Sequence, residues 1–206
     1  MATFDERARD WDTPERIARA AEVASAIRGA LDLSGTERMI DVGAGTGLLG
    51  LALVDDVGSV TLADPSAGMI EVANEKLAGG SLPTVHAVHH DLIADPAPAD
   101  PFDLAVSMLV LHHIEDTAAA LAGIHALLAP GGRIALADLD TEDGTFHSPE
   151  AEGIHHQGFD RSEIERLAGE AGFGDVATRT AMRIADEDGG GPGYPVFLLT
   201  GRRAGS

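Results

Sequence analysis

The sequence predicts an α/β protein: a doubly wound, mostly parallel seven-stranded sheet with helices on both faces and a C-terminal antiparallel hairpin strand. Three observations lead there. Strand-like and helix-like segments alternate through most of the chain, as they do where crossover helices join parallel strands. The apolar run Met39-Ile40-Asp41-Val42 breaks into Gly43-Ala44-Gly45-Thr46-Gly47 and then opens a short apolar helix. Two strand-like segments follow one another at the end, with only a turn between them.

Phe4 to Asp12 reads as an N-terminal arm holding the one tryptophan, Trp11. Thr13 caps a helix with Pro14 at its first position. Ile17, Ala20, Ala21, Ala24, Ile27 and Leu31 then recur at helical spacing. Strand one covers about 38–42, and a short helix runs from the glycine loop to Leu53. Strand two, Ser59 to Ala63, ends in Asp64-Pro65-Ser66. A helix over roughly 67–78 stops at Gly79-Gly80. Strand three, Thr84 to Val88, closes on His89-His90-Asp91, and the proline-rich stretch from Ala94 to Pro101 is a loop. Phe102 to Ser107 is strand four. A helix over about Asp116 to Leu128 is ended by Pro130-Gly131-Gly132, and Arg133 to Asp138 is strand five. Residues 139–160 are irregular. Ser162-x-x-Glu165 has the form of a capping box for a helix finishing at Gly172. Val176 to Ile184 and Tyr194 to Thr200 form the closing hairpin around an acidic, glycine-rich turn at 186–193. The whole chain, 1–206, reads as one domain, with residues 1–34 as an N-terminal arm and helix.

Alternate glycines let the backbone take positive φ and bring its N–H groups close to a ligand, and the helix behind them offers unpaired N–H groups. A dinucleotide fingerprint counted from Gly43 would need a small residue at 48, where Leu48 stands. A phosphate P-loop needs Gly-Lys-Ser/Thr, and the one lysine, Lys76, is far away. What remains, Asp41-x-Gly43-x-Gly45-x-Gly47, resembles motif I of the class I S-adenosylmethionine-dependent methyltransferases, whose Rossmann-like fold matches the element order above.

That resemblance extends along the strand ends. It implies that Asp64, about twenty residues past the glycine loop, accepts hydrogen bonds from both ribose hydroxyls, with Pro65 beside it. Met69 covers the adenine face or packs in the core. Asp91 resembles the family's adenine-binding acid, with the Leu92 N–H meeting the ring. Ser107-Met108-Leu109-Val110-Leu111-His112-His113-Ile114-Glu115-Asp116 resembles the motif after strand four, where a carbonyl near Ser107 holds the cofactor's ammonium group. Gly43 and Gly45 let the backbone approach the methionine moiety, Gly47 completes the cofactor-binding loop, and Asp41 braces the loop and the amine. Phe4-Asp5-x-x-Ala8-x-x-Trp11-Asp12 resembles the arm that closes over the cofactor in many small-molecule members; the alternative for Trp11 is simple packing on the core.

The reading is therefore a methyltransferase binding S-adenosyl-L-methionine, releasing S-adenosyl-L-homocysteine, and acting on a small-molecule acceptor by direct displacement. Quinone-ring methyltransferases belong to the same broad group. The alternative is a non-catalytic regulator that binds the same cofactor. A base is needed only for an acceptor that arrives protonated, and the candidates are His112, His113, His147, His155 and His156. No metal is expected: His155-His156 lacks ligand spacing and the chain has no cysteine. A net charge of −20 argues against nucleic acid and anionic membranes as partners. A monomer or homodimer is expected. With no apolar run of membrane length and no signal-peptide pattern in Met1 to Arg7, the expected location is cytoplasmic.

Overall fold

A computed structural model describes residues 3–80, 82–148, 151, 153–185 and 191–205. Seven strands form one sheet: β1 (Arg38–Val42), β2 (Ser59–Asp64), β3 (Val85–His89), β4 (Phe102–Met108), β5 (Leu128–Leu139), β6 (Phe173–Ile184) and β7 (Tyr194–Arg203). Their spatial order is β3-β2-β1-β4-β5-β7-β6. The first five strands pair in parallel, and β7 lies antiparallel between β5 and β6. The chain winds outward from β1 to β3, then restarts at β4 on the other side of β1. Between β1 and β4 lies the switch point, where an open sheet of this kind leaves a crevice at its carboxyl edge.

Among the described residues six α-helices accompany the sheet: α1 (Phe4–Arg7), α2 (Pro14–Ala30), α3 (Leu48–Ala52), α4 (Ala67–Ala78), α5 (Thr117–Leu127) and α6 (Arg161–Glu170). Side-chain alternation along the strands feeds two cores. Leu104 and Val106 of β4 and Val196 and Leu198 of β7 face α2 and α3, through Val23, Ala24, Ile27, Leu49 and Leu53. Ala105, Phe197 and Leu199 face α5 and α6, through Leu121, Ile124, Ile164 and Ala168. Both faces are covered, which is what strands apolar at successive positions require.

Local differences from the sequence reading have physical causes. On α2 the buried positions are Ala20, Val23, Ala24 and Ile27, while Ile17 is 49% exposed and Ala21 is exposed, because only the C-terminal part of the helix overlies the sheet. Pro130-Gly131-Gly132 does not separate helix from strand. Leu128 already pairs with Phe102, and the Pro-Gly-Gly segment is an irregularity within β5. The cap of α6 is Asp160, which accepts from the N–H groups of Ser162 (2.9 Å) and Glu163 (3.1 Å). Glu165 instead accepts from Thr178 N (2.8 Å) and Oγ1 (2.6 Å), tying α6 to β6 rather than closing a capping box. Residues 186–190 of the expected terminal turn lie outside the described residues, as do Met1 and Ala2.

Candidate active site

The glycine loop leaves β1 at the switch point. Gly43, Gly45 and Gly47 have φ of +68°, +55° and +89°. A Cβ on Gly43 would lie 2.6 Å from a Val110 methyl, and one on Gly47 2.6 Å from a Leu62 methyl. Side chains at these positions are therefore excluded by packing as well as by backbone conformation. A Cβ on Gly45 would meet Trp11 Nε1 at 3.5 Å and Met69 Sδ at 3.8 Å. Trp11 and Met69 thus stand over the middle of the loop.

Two buried acids underlie it. Asp41 accepts from Gly50 N (2.8 Å), bracing α3 against β1, and burial, reinforced by the nearby Asp64 charge, raises its carboxyl to about 7. Asp64, at the end of β2, accepts from Gly45 N (2.7 Å) through one oxygen and from Ser66 N (2.8 Å) through the other. Burial raises its pKa, and these two N–H bonds hold it back. Each oxygen keeps a lone pair for a further donor.

The N-terminal arm lies across this loop. Asp5 accepts from Ser66 Oγ (2.6 Å) and Gly68 N (2.8 Å) at the start of α4. Asp12 accepts from Thr46 Oγ1 (2.5 Å) and pairs with Lys76, which also donates to the Thr46 carbonyl (2.8 Å). Phe4 meets Trp11 edge-on at 5.8 Å, and Arg16 stacks over the Trp11 ring at 4.1 Å.

The remaining cofactor candidates fall around the same edge in different states. Met69 is buried and Pro65 is exposed. Asp91 accepts from Ile93 N (2.8 Å) and Ala94 N (3.1 Å), both through Oδ1, so it also shapes its own turn. Leu92 packs against Gly123 of α5. The Ser107 hydroxyl donates to the Val42 carbonyl (2.7 Å), which links β4 to β1 and leaves the hydroxyl oxygen only as an acceptor.

The histidine candidates separate into two groups. His112, 1% exposed, bonds through Nδ1 to the wholly buried Asp138 carboxylate (2.6 Å), and its Nε2 lies 3.2 Å from His147 Nε2. His113 donates through Nδ1 to the Gly153 carbonyl (2.8 Å) and touches Phe4 edge-on at 5.4 Å. Burial lowers His113 to about 4, with the neighbouring His112 adding to the shift, and burial likewise lowers His147. His155 and His156 stand apart from this group. Both donate their backbone N–H to the His112 carbonyl, at 3.0 and 3.2 Å; the His155 ring is exposed, and His156 Nε2 lies near Thr117 Oγ1 and the Ile114 carbonyl.

The 139–160 stretch is an excursion pinned at its ends: Phe159 N donates to the Leu139 carbonyl (2.9 Å) and Thr141 N to the Phe159 carbonyl (3.1 Å). Glu142 caps it internally, accepting from Gly144, Thr145 and Phe146 N–H groups, and Phe146 packs on His147 and Tyr194. A cavity of about 510 Å³ opens here, lined by Glu142, His147, Ser148, Ile154, His155 and Gln157 among others. Sequence reasoning missed Asp138, which looks like one more polar residue at the end of an apolar strand. It also missed Leu109, held at φ +57°, which turns the chain after β4 and lets Val110 close on Gly43. Neither position carries a local signal.

A doubly wound sheet, a glycine loop over buried acids at its switch point and a histidine-lined cavity beside it define a nucleotide-type cofactor enzyme fold. Residues 9–178 match the model of the methyltransferase domain family. The chain belongs to that family. An uncharacterized methyltransferase of Mycobacterium tuberculosis is 34% identical over 125 residues, covering 59% of this chain and 62% of its own length. The ubiquinone/menaquinone biosynthesis C-methyltransferase of Vibrio parahaemolyticus is 35% identical over 114 residues, covering 52% of this chain and 44% of its own. The chain thus spans under two thirds of either relative. Phosphoethanolamine N-methyltransferase 2 of Haemonchus contortus, solved with phosphomonomethylethanolamine and S-adenosylhomocysteine, shares the fold with a TM-score of 0.75 at 15% identity, over 99% of this chain and 61% of that one. Among the described residues no helix is long and apolar enough to cross a membrane.

Proposed function

We propose that this chain is an S-adenosylmethionine-dependent methyltransferase acting on a small-molecule acceptor. The observation that carries the reading is Asp64: a buried carboxylate ending β2, oriented by Gly45 N–H, beneath Trp11 and Met69. An acid so held suits two adjacent hydroxyls, and the soft and aromatic side chains suit an adenine face and a sulfonium. Gly43 and Gly47 seat the loop against Val110 and Leu62, so that Gly45 faces the methionine moiety; Asp41 lies near its ammonium group, and Asp91, Leu92 and Pro65 flank the base. When bound, the cofactor supplies an electrophilic methyl group. The protein then holds the acceptor in line with that methyl and keeps water out, with the arm as the cover.

The histidine-lined cavity supports a small acceptor, and the −20 charge opposes a polyanionic one. For an acceptor that must lose a proton, His147, linked through His112 to Asp138, is the best-placed base. His155 and His156 are the weaker candidates, being directed elsewhere. On this reading residues 1–206 work as one cytoplasmic unit, monomeric or homodimeric, with residues 1–34 covering the cofactor.

Calorimetric titration with S-adenosylmethionine, S-adenosylhomocysteine and NAD tests it, beside Asp64→Ala. Micromolar binding of the first two, lost in the variant and undetectable for NAD, is the expected outcome. Binding of neither sulfur compound would overturn the reading. Binding without turnover across a screen of small acceptors would favour a cofactor-binding regulator.

A further inference from the structure

The cluster of His112, His113 and His147 goes beyond cofactor binding. One ring nitrogen from each lies within 4.8 Å of the other two. His112 and His147 bring their Nε2 atoms to 3.2 Å. Two imidazole nitrogens bound at about 2.0–2.1 Å to a tetrahedral metal stand a little over 3 Å apart, so this pair is already at ligand spacing.

Two of the other ring nitrogens are occupied in the manner of metal ligands. His112 Nδ1 is held by the buried Asp138 carboxylate, and His113 Nδ1 by the Gly153 carbonyl. Such outer partners fix the tautomer that leaves the Nε2 lone pair free. The Asp138 carboxylate is oriented in turn, accepting from Leu139 N (2.8 Å). A proton relay would need only His147, His112 and Asp138, whereas His113 is anchored beside them through Nδ1, and among the described residues its Nε2 has no hydrogen-bond partner. Phe146 and Phe4 wall the cluster on two sides.

We propose that His112, His113 and His147 bind a divalent transition metal at the carboxyl edge of β4 and β5. Three imidazoles without thiolate suit zinc, cobalt or nickel, and three protein ligands leave a position for water or an acceptor oxygen. This departs from the sequence expectation of no metal, which rests on ligand spacing along the chain and on the absence of cysteine. The distinction is spatial: β4, its following turn and the 139–160 excursion bring together residues 35 positions apart.

The test is to strip the full chain with a chelator and titrate it with Co²⁺, followed by visible d–d absorption, and with Zn²⁺ by calorimetry. One equivalent is expected, with the absorption of a four- or five-coordinate imidazole site. His147→Ala and His113→Ala should each weaken uptake at least tenfold, His89→Ala should leave it unchanged, and Asp138→Asn should weaken it about 10- to 100-fold. The cooperative thermal unfolding of each variant serves as the folding control, and S-adenosylmethionine titration separates the two readings. Metal uptake with no cofactor binding would leave this proposal standing and remove the functional one. Uptake by the parent no greater than by the His113→Ala/His147→Ala double variant would overturn the metal site and return the cluster to proton transfer.

Discussion

Asp41 is a buried acid whose ionisation works against the stability of the fold. It is 1% exposed and its carboxyl is raised to about 7 by burial. Between about pH 4 and pH 7 the folded chain therefore holds this proton more tightly than the unfolded one does. Its contribution to stability falls as pH rises through that window and levels off above it. A displacement of this size corresponds to on the order of 2–4 kcal/mol. Asn at this position keeps an oxygen for the Gly50 N–H without the buried charge. Asp41→Asn should resist urea better than the parent by about 2 kcal/mol at pH 8, with the difference gone near pH 4. Equal midpoints at pH 8 would sink the argument. If the ionised form faces the cofactor's ammonium, S-adenosylmethionine should also bind the parent about tenfold more weakly at pH 6 than at pH 8, and the variant should lose that dependence. Asp41, Asp64 and the glycines were legible in the sequence because a strand–glycine–helix motif is local. Asp138 was not, since its meaning lies in a 2.6 Å contact with His112, 26 residues earlier.

Among the elements, the arm is the one whose position depends least on a hydrophobic core. From Phe4 to Asp12 only Ala8 is buried, and the segment is held by Asp5 on α4 and by Asp12 on Thr46 and Lys76. Partly exposed ion pairs of this kind contribute roughly 0–1 kcal/mol. Asp12→Ala should thus leave the main unfolding transition nearly unchanged. It should also speed proteolytic cleavage within the first dozen residues and weaken S-adenosylmethionine binding by about tenfold, or 1.4 kcal/mol. Calorimetry with limited proteolysis checks both, and an arm that stays protected with full affinity would mean the Asp12 contacts are incidental. The sequence marked the arm through its aromatic and acidic pattern, and it marked α2 by Thr13-Pro14. At α6 two capping patterns overlapped. Asp160 won because its side chain reaches two N–H groups, while Glu165 is drawn off to Thr178 on β6.

Across the whole molecule, 34 acidic residues face 14 basic ones, and the surface repels itself. Raising sodium chloride from about 0.05 M to about 1 M shortens the screening length from over 10 Å to about 3 Å, so the unfolding temperature should rise by several degrees. A flat or falling profile would mean the acids are already neutralised by their local partners. Element order, the parallel winding and the site of the glycine loop were determined by the sequence alone, because hydrophobic period and glycine placement act over a few residues. Only the tertiary structure decided that β7 inserts between β5 and β6, that the arm lies over Gly45, and that three histidines from two loops share one space. Those outcomes depend on which distant surfaces bury each other, and no window of neighbouring residues carries that information.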